Sequence, residues 1–168
     1  MSTQKRVAHT PLLYRMMTPL MLVCITIATY YPSLFYNFQF DDIANIQKHF
    51  YIRHHQFKSL FLTGARWISY WLNSVLYSIN KFEPFWYRVS SLSIHLINGV
   101  LLFFILLYAL SKFKRSSFFR NNSWYIAVIT TMLFLLHPVQ TQTISYVIQG
   151  QLEGLACMFI QGIILTFL

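Results

Sequence analysis

Residues 91–110 read SLSIHLINGVLLFFILLYAL, an uncharged and almost wholly apolar run. About 20 residues of helix, at 1.5 Å per residue, cross the roughly 30 Å hydrocarbon core of a bilayer. Apart from two serines, the polar side chains in the run are His95 and Asn98, one helical turn apart and so on one face. Polar groups placed in this way inside a span face other helices rather than lipid. A packing role for both follows, and the run predicts one membrane-spanning helix among several.

Three further apolar runs flank it. Residues 17–35 predict a first span, with Pro32 near its end. Residues 124–137 predict a third, shorter one that stops at His137-Pro138. Residues 152–168 predict a fourth, within which the sequence stops. The composition agrees: 56% of residues are hydrophobic and 10% charged, with a mean hydropathy of +0.48. Soluble domains carry about a quarter charged residues. The expected fold is therefore all-α, a polytopic transmembrane helical protein of about four spans. A cleaved signal peptide is the rival reading of the first run. Its apolar stretch Leu20–Tyr30 is long for such a segment, and no Ala-x-Ala site follows. Cys24 and Cys157 both lie in apolar runs and read as packing residues, with no disulfide expected.

Thirteen Lys and Arg against four acids give a net charge of +9. The basic residues stand between the apolar runs, which points to the lipid bilayer and its anionic headgroups and away from nucleic acid. They also orient the chain. The tail 1–16 (Lys5, Arg6, Arg15) and the short loop 111–123 (Lys112, Lys114, Arg115, Arg120) contain no acid. The positive-inside rule places both in the cytoplasm. Loops 36–90 and 138–151 then share the opposite side. The long first loop holds six basic residues of its own, but long loops translocate largely regardless of charge. Within it, Ile68, Leu72, Val75, Leu76 and Ile79 recur at helical spacing between Trp67 and Asn80, with Ser69, Asn73, Tyr77 and Asn80 opposite. Either an interfacial amphipathic helix or a packed helix of a small loop domain satisfies that pattern.

Asp41 and Asp42 are the most informative polar residues. They are adjacent, they are half of all the acids, and they closely follow the first span. An ionised carboxylate there needs water, a partner or a metal. One reading is a pair that opens a helix; the other is a base or metal ligand at the membrane surface. Arg66 and Arg88 bracket the amphipathic segment, and a guanidinium matches phosphate in a bidentate way. Snorkelling anchors are the plainer reading for Lys48, Lys58 and Lys81. His49, His54 and His55 form no recognisable ligand spacing. Glu153, at the start of the fourth run, suits a helix amino terminus. The chain contains no Gly-rich phosphate loop, Gly-x-Ser-x-Gly or His-Glu-x-x-His, so nothing supports a nucleotide kinase, serine hydrolase or zinc protease.

Four segments fall in a telling order: Phe40-Asp41-Asp42, then Gly64-Ala65-Arg66-Trp67-Ile68-Ser69-Tyr70, then Ile94-His95-Leu96-Ile97-Asn98. The last is Leu136-His137-Pro138-Val139-Gln140-Thr141, followed by Tyr146-Val147-Ile148-Gln149. This ordered set resembles the amino-terminal part of the GT-C membrane glycosyltransferases. It is nearest to the protein O-mannosyltransferase-like members with tetratricopeptide repeats. The resemblance implies an active site on the non-cytoplasmic side of a bacterial inner membrane or the endoplasmic reticulum. It also implies a polyprenyl-phosphate-linked sugar as donor and a protein hydroxyl as acceptor. By it, Asp41 and Asp42 match the catalytic acidic pair, Arg66 matches a basic position after it, and His137 with Pro138 matches the start of the second external loop; Arg66, Arg88 and His137 are the candidate substrate-binding residues.

Such a transfer needs one carboxylate to take the acceptor proton and one cation to stabilise the phosphate that leaves. No cofactor is required by that chemistry, and a divalent metal at the acidic pair is left open. The chain departs from the family pattern at Gln142, where Glu is common, at Gly150, where Arg is common, and at Arg88, where His is common. Its length covers only the front of such a fold. A non-enzymatic membrane accessory subunit or an inactive truncated relative is the alternative. A transporter ranks behind both, because no span interior carries a charged pathway.

Overall fold

All regular secondary structure among the described residues is helical. The structure, a computed structural model, describes residues 12–54, 64 and 66–168, with the backbone alone for residues 12–16. The tail residues Lys5 and Arg6, and His55, Lys58 and Ala65 of the first loop, lie outside the described residues.

Helix α1 spans Leu12–Tyr30 and runs into a 3-10 turn over Tyr31–Phe35. Pro32, at the start of that turn, has no N–H to continue the α ladder and disfavours α geometry in the residue before it. The first loop contains a π-helical turn, Ile43–Gln47, and the short helix α2, Phe50–Arg53. Helix α3 is Trp67–Asn80 and α4 is Pro84–Ser111. Then follow α5 (Ser117–Asn121), α6 (Ser123–Leu136), α7 (Gln140–Ser145) and α8 (Val147–Phe167).

Three segments are long and apolar enough to cross a membrane: Met17–Phe35, Pro84–Ser111 and Val147–Phe167. The chain is thus an all-α polytopic membrane protein. Helix α6 has 14 residues, about 21 Å at 1.5 Å per residue, and is shorter than the hydrocarbon core. Three starts differ from the sequence reading, the first being α1, which begins at Leu12 instead of Met17. Helix α4 begins at Pro84 instead of Ser91, because proline is pre-organised for the first helical turn. Helix α8 begins at Val147 instead of Leu152, because its first turn is capped from the first loop, as described below.

Helix α4 is the central element, packed against α6 and α8. Small residues set the close approach, as is common between membrane helices. A Cβ on Gly99 would strike Leu135; one on Gly154 would lie 2.7 Å from Ile94 Cγ2; one on Gly150 would strike the Thr143 carbonyl oxygen. Two polar contacts join these helices. Asn98 donates to the Gly154 carbonyl at 2.8 Å. The Leu135 carbonyl, near the end of α6, receives Tyr30 Oη at 3.2 Å and His95 Nε2 at 3.1 Å. That carbonyl is one of those a helix carboxy terminus leaves unpaired, and it joins α1, α4 and α6. Met21, Ile129, Leu133, Ile160 and Phe167 point outward, as lipid contact requires.

Helix α3 has the bounds read from the sequence. Ser69, Tyr70, Asn73 and Ser74 are buried, whereas Trp71 and Ile79 are exposed and Leu72 and Val75 half-buried. The inward side includes Ser69, Asn73 and Ser74 together with Tyr70, Leu76 and Tyr77, and Trp71, Ser78 and Ile79 face out. Beneath it, Phe38, Ile46, Ile52, Tyr70 and Tyr87 pack with Val147 and Ile148 into a core that seats the first loop on the start of α8.

Candidate functional site at the loop-bearing face

Arg88 sits one turn inside α4, fully buried. Its guanidinium fork joins three chain segments: Nε donates to the Tyr36 carbonyl at 2.7 Å, Nη1 to Ser145 at 2.7 Å and Nη2 to Asn37 at 2.5 Å. The planar fork suits several fixed acceptors in a way an ammonium does not. Asp42, also fully buried, completes the join. Its carboxylate accepts the backbone N–H groups of Val147 at 3.2 Å and Ile148 at 3.0 Å. Burial pushes the Asp42 carboxyl above its ordinary value. The N–H groups of Ile148, Val147 and Gln39 and the charge of Arg88 pull it back in part.

Asp42 and Arg88 therefore fix the first loop and the connector between α6 and α8 on one face. Between these segments lies an open groove of about 620 Å³. Tyr36 and Gln39 line it from the first loop, and Pro138, Thr141, Gln142 and Tyr146 from the connector. Phe40 is held at φ +44, a backbone conformation uncommon outside glycine, with its ring edge-on to Tyr146 at 5.6 Å. Such strain gathers at functional sites.

The other expected site residues are placed differently. Asp41 is exposed, and its carbonyl accepts from Asn45, whose own side-chain oxygen accepts from Tyr70. Arg66 is exposed at the amino end of α3 and makes no side-chain cap there. His137 is exposed at the end of α6, its Nδ1 accepting the Val139 N–H at 3.2 Å. The structure thus brings Asp42 and Arg88 into one cluster and leaves Asp41, Arg66 and His137 at separate surface positions. His49 is half-buried and stacked on Tyr70 with centroids 4.4 Å apart, and burial lowers its pKa. Among the described residues no three His, Cys, Asp or Glu side chains converge as a metal site. Cys24 and Cys157 are both free.

Some functional groups were not readable from side-chain type. The acceptors for Arg88 and the donors to Asp42 are backbone atoms. A polar chain also runs from the groove along α8: Gln142 Nε2 donates to Gln149 Oε1 at 3.3 Å, and Gln149 Nε2 to Glu153 Oε1 at 2.9 Å. Gln142 was singled out only as a departure from a family pattern, and Glu153 only as a helix-start acid.

Comparison with protein-family models, with curated proteins and with solved structures returned no match. Geometry and residue chemistry carry the functional reading.

Proposed function

We propose that this chain is the amino-terminal part of a GT-C-like membrane glycosyltransferase. It would take a sugar from a polyprenyl-phosphate donor to a protein hydroxyl on the non-cytoplasmic side, with its amino terminus in the cytoplasm. The observation that carries the reading is the groove at the loop-bearing face, which the buried Arg88 and Asp42 hold rigid. It is open and lined by Gln39, Thr141, Gln142 and Ser145 beside Pro138, Val139 and two tyrosines, a mixed surface that would receive the headgroup of a lipid-linked substrate.

Within this reading the pair divides its work. Asp42 positions the loop, since both of its oxygens accept backbone N–H groups. Asp41, exposed and two residues from the groove-lining Gln39, is the carboxylate free to take an acceptor proton. Arg66 is the exposed guanidinium available to a phosphate, whereas the donors of Arg88 already serve backbone carbonyls.

One observation favours a second reading, that of a non-enzymatic accessory subunit. The two most distinctive charged residues, Asp42 and Arg88, are fully buried and act as a structural clamp. Protein O-glycosylation in the source membrane separates the readings. It would be measured by intact mass of glycoproteins in a strain lacking this chain and complemented with variants. The transferase reading expects Asp41→Asn to abolish complementation while the protein still accumulates. Full complementation by Asp41→Asn would favour the accessory subunit.

A further inference from the structure

We propose that the crevice between α4, α6, α7 and α8 binds a primary ammonium group, carried by an aminophospholipid headgroup or by a small free amine. The crevice is separate from the groove and independent of the glycosyl-transfer reading. It measures about 170 Å³ and is lined by His95, Asn98, Phe134, Gln140, Glu153 and Cys157, among others. A water molecule takes about 30 Å³ of liquid, so the space exceeds a bare ion and fits a group the size of ethanolamine.

Beside Gln140, Thr143 and Cys157, which can also donate, three of its polar residues offer acceptors. Asn98 is buried, and its Nδ2 is committed to the Gly154 carbonyl, which leaves Oδ1 buried with no partner among the described residues. Such an atom calls for a donor. His95 Nε2 faces the Leu135 carbonyl, which only accepts, so Nε2 carries the hydrogen and Nδ1 of the neutral ring is an acceptor. Glu153 Oε1 takes the Gln149 amide, leaving Oε2. Three acceptors match the three donors of an –NH₃⁺ group. Phe134 adds an aromatic wall, which favours a cation.

Charge and depth agree. Glu153 is the sole acid within the three candidate spans, and no Lys or Arg lines the crevice. An acid in a span marks a functional position and a cationic counterpart. It lies about 9 Å along α8 from Val147, at 1.5 Å per residue, in the first third of that 21-residue helix. A quaternary ammonium carries no donor and would leave Asn98 Oδ1 unpaired.

The test uses the full chain, purified and delipidated in detergent. Phosphatidylethanolamine, phosphatidylcholine or free ethanolamine is added, with thermal unfolding and native mass spectrometry as readouts. Phosphatidylethanolamine is expected to raise Tm and to be retained as one bound lipid, and phosphatidylcholine is not. Glu153→Gln should weaken that binding by about tenfold or more without changing Tm in the absence of lipid, because Glu153 is exposed. A shift with ethanolamine alone supports a free amine as ligand, and a shift with the lipid only supports the headgroup. Equal stabilisation by both lipids, no shift with any amine, or unchanged binding to the Glu153→Gln protein would overturn the proposal.

Discussion

Asp42 Oδ1 accepts the backbone N–H of Ile148 at 3.0 Å across 106 residues of sequence. With Oδ2 on Val147, the carboxylate serves two of the donors that a helix amino terminus leaves unpaired, and its charge lies where the helix dipole favours it. Replacing it with alanine buries both N–H groups without acceptors. We expect Asp42→Ala to lose about 2–4 kcal/mol of stability and to expose the first loop to protease. Asp42→Asn should lose less, since its amide oxygen still accepts one N–H. Thermal unfolding in detergent measures both; an Asp42→Ala protein that melts with the wild type would refute the cap.

Acidification should act through the same carboxyl with an uncommon sign. Burial raises the Asp42 pKa above 3.8 in the folded protein. In the window from 3.8 up to that raised value, the folded state holds a proton that the unfolded chain has lost. Stability from this group is therefore complete below 3.8 and is lost as pH rises through the folded pKa. His49 works in the other direction. Its pKa is lowered from 6.5, so the unfolded chain gains its proton first, and stability falls as pH drops below 6.5. Comparing wild type with Asp42→Asn isolates the first group, and comparing it with His49→Gln isolates the second. Wild type should gain on Asp42→Asn, and lose against His49→Gln, as Tm is followed from about pH 7 to about pH 4.

Arg88→Lys should also destabilise, despite keeping the charge. An ammonium cannot span the carbonyls of Tyr36, Asn37 and Ser145 together, and the loss should be about 2–4 kcal/mol. Because the charge of Arg88 acts on Asp42, removing both should cost less than the sum of the single changes. A double-mutant cycle with Arg88→Met and Asp42→Asn reads that coupling; strict additivity would show two independent residues.

The helices were legible in the sequence because hydrophobic length and period are local properties. Trp67–Asn80 needed only its own spacing, and His95 and Asn98 announced a protein-facing side of α4 by lying one turn apart. The clamp was not legible in that way. Arg88 reads as a loop residue until Pro84 starts the helix beneath it, and its partners are carbonyls more than 50 residues away in sequence. Asp41 and Asp42 are identical in type and adjacent, so only the fold separates the exposed one from the buried cap. The face that α3 turns inward is set by its packing on Phe38, Ile46, Ile52 and Tyr87, which no local pattern states.

Helix packing gives a prediction with an internal control. A side chain on Gly154 must displace Ile94, and one on Gly150 must displace the Thr143 backbone, whereas nothing lies within 4 Å of a Cβ on Gly162. Gly150→Ala and Gly154→Val should each lower stability by about 1–3 kcal/mol through overpacking. Gly162→Ala should leave it unchanged or raise it by up to about 1 kcal/mol, the helix-propensity difference between the two residues. Thermal unfolding of the three variants tests whether α8 sits against α7 at Gly150 and against α4 at Gly154; equal melting temperatures would place it elsewhere.

Sidedness is the last expectation, and it rests on two facts of different kind. Structurally, Arg88 binds the first loop and the α6–α8 connector together, so the two occupy one face. Electrostatically, Lys112, Lys114, Arg115 and Arg120 crowd the short loop between α4 and α6 with no acid among them, which the positive-inside rule assigns to the cytoplasm. The sequon Asn121-Asn122-Ser123 should then stay unmodified in a eukaryotic membrane. Its position beside α6 makes a second probe worthwhile. In a background with Cys24 and Cys157 replaced, Val139→Cys places a thiol at an exposed site on the groove side, and Lys114→Cys places one in the basic loop. A membrane-impermeant maleimide should label the first in intact cells and the second only after permeabilisation. The reverse pattern would turn the molecule over and put Asp41 in the cytoplasm, where a donor presented on the non-cytoplasmic side would never meet it. Labelling of both in intact cells would mean that α6 does not carry the chain across the membrane.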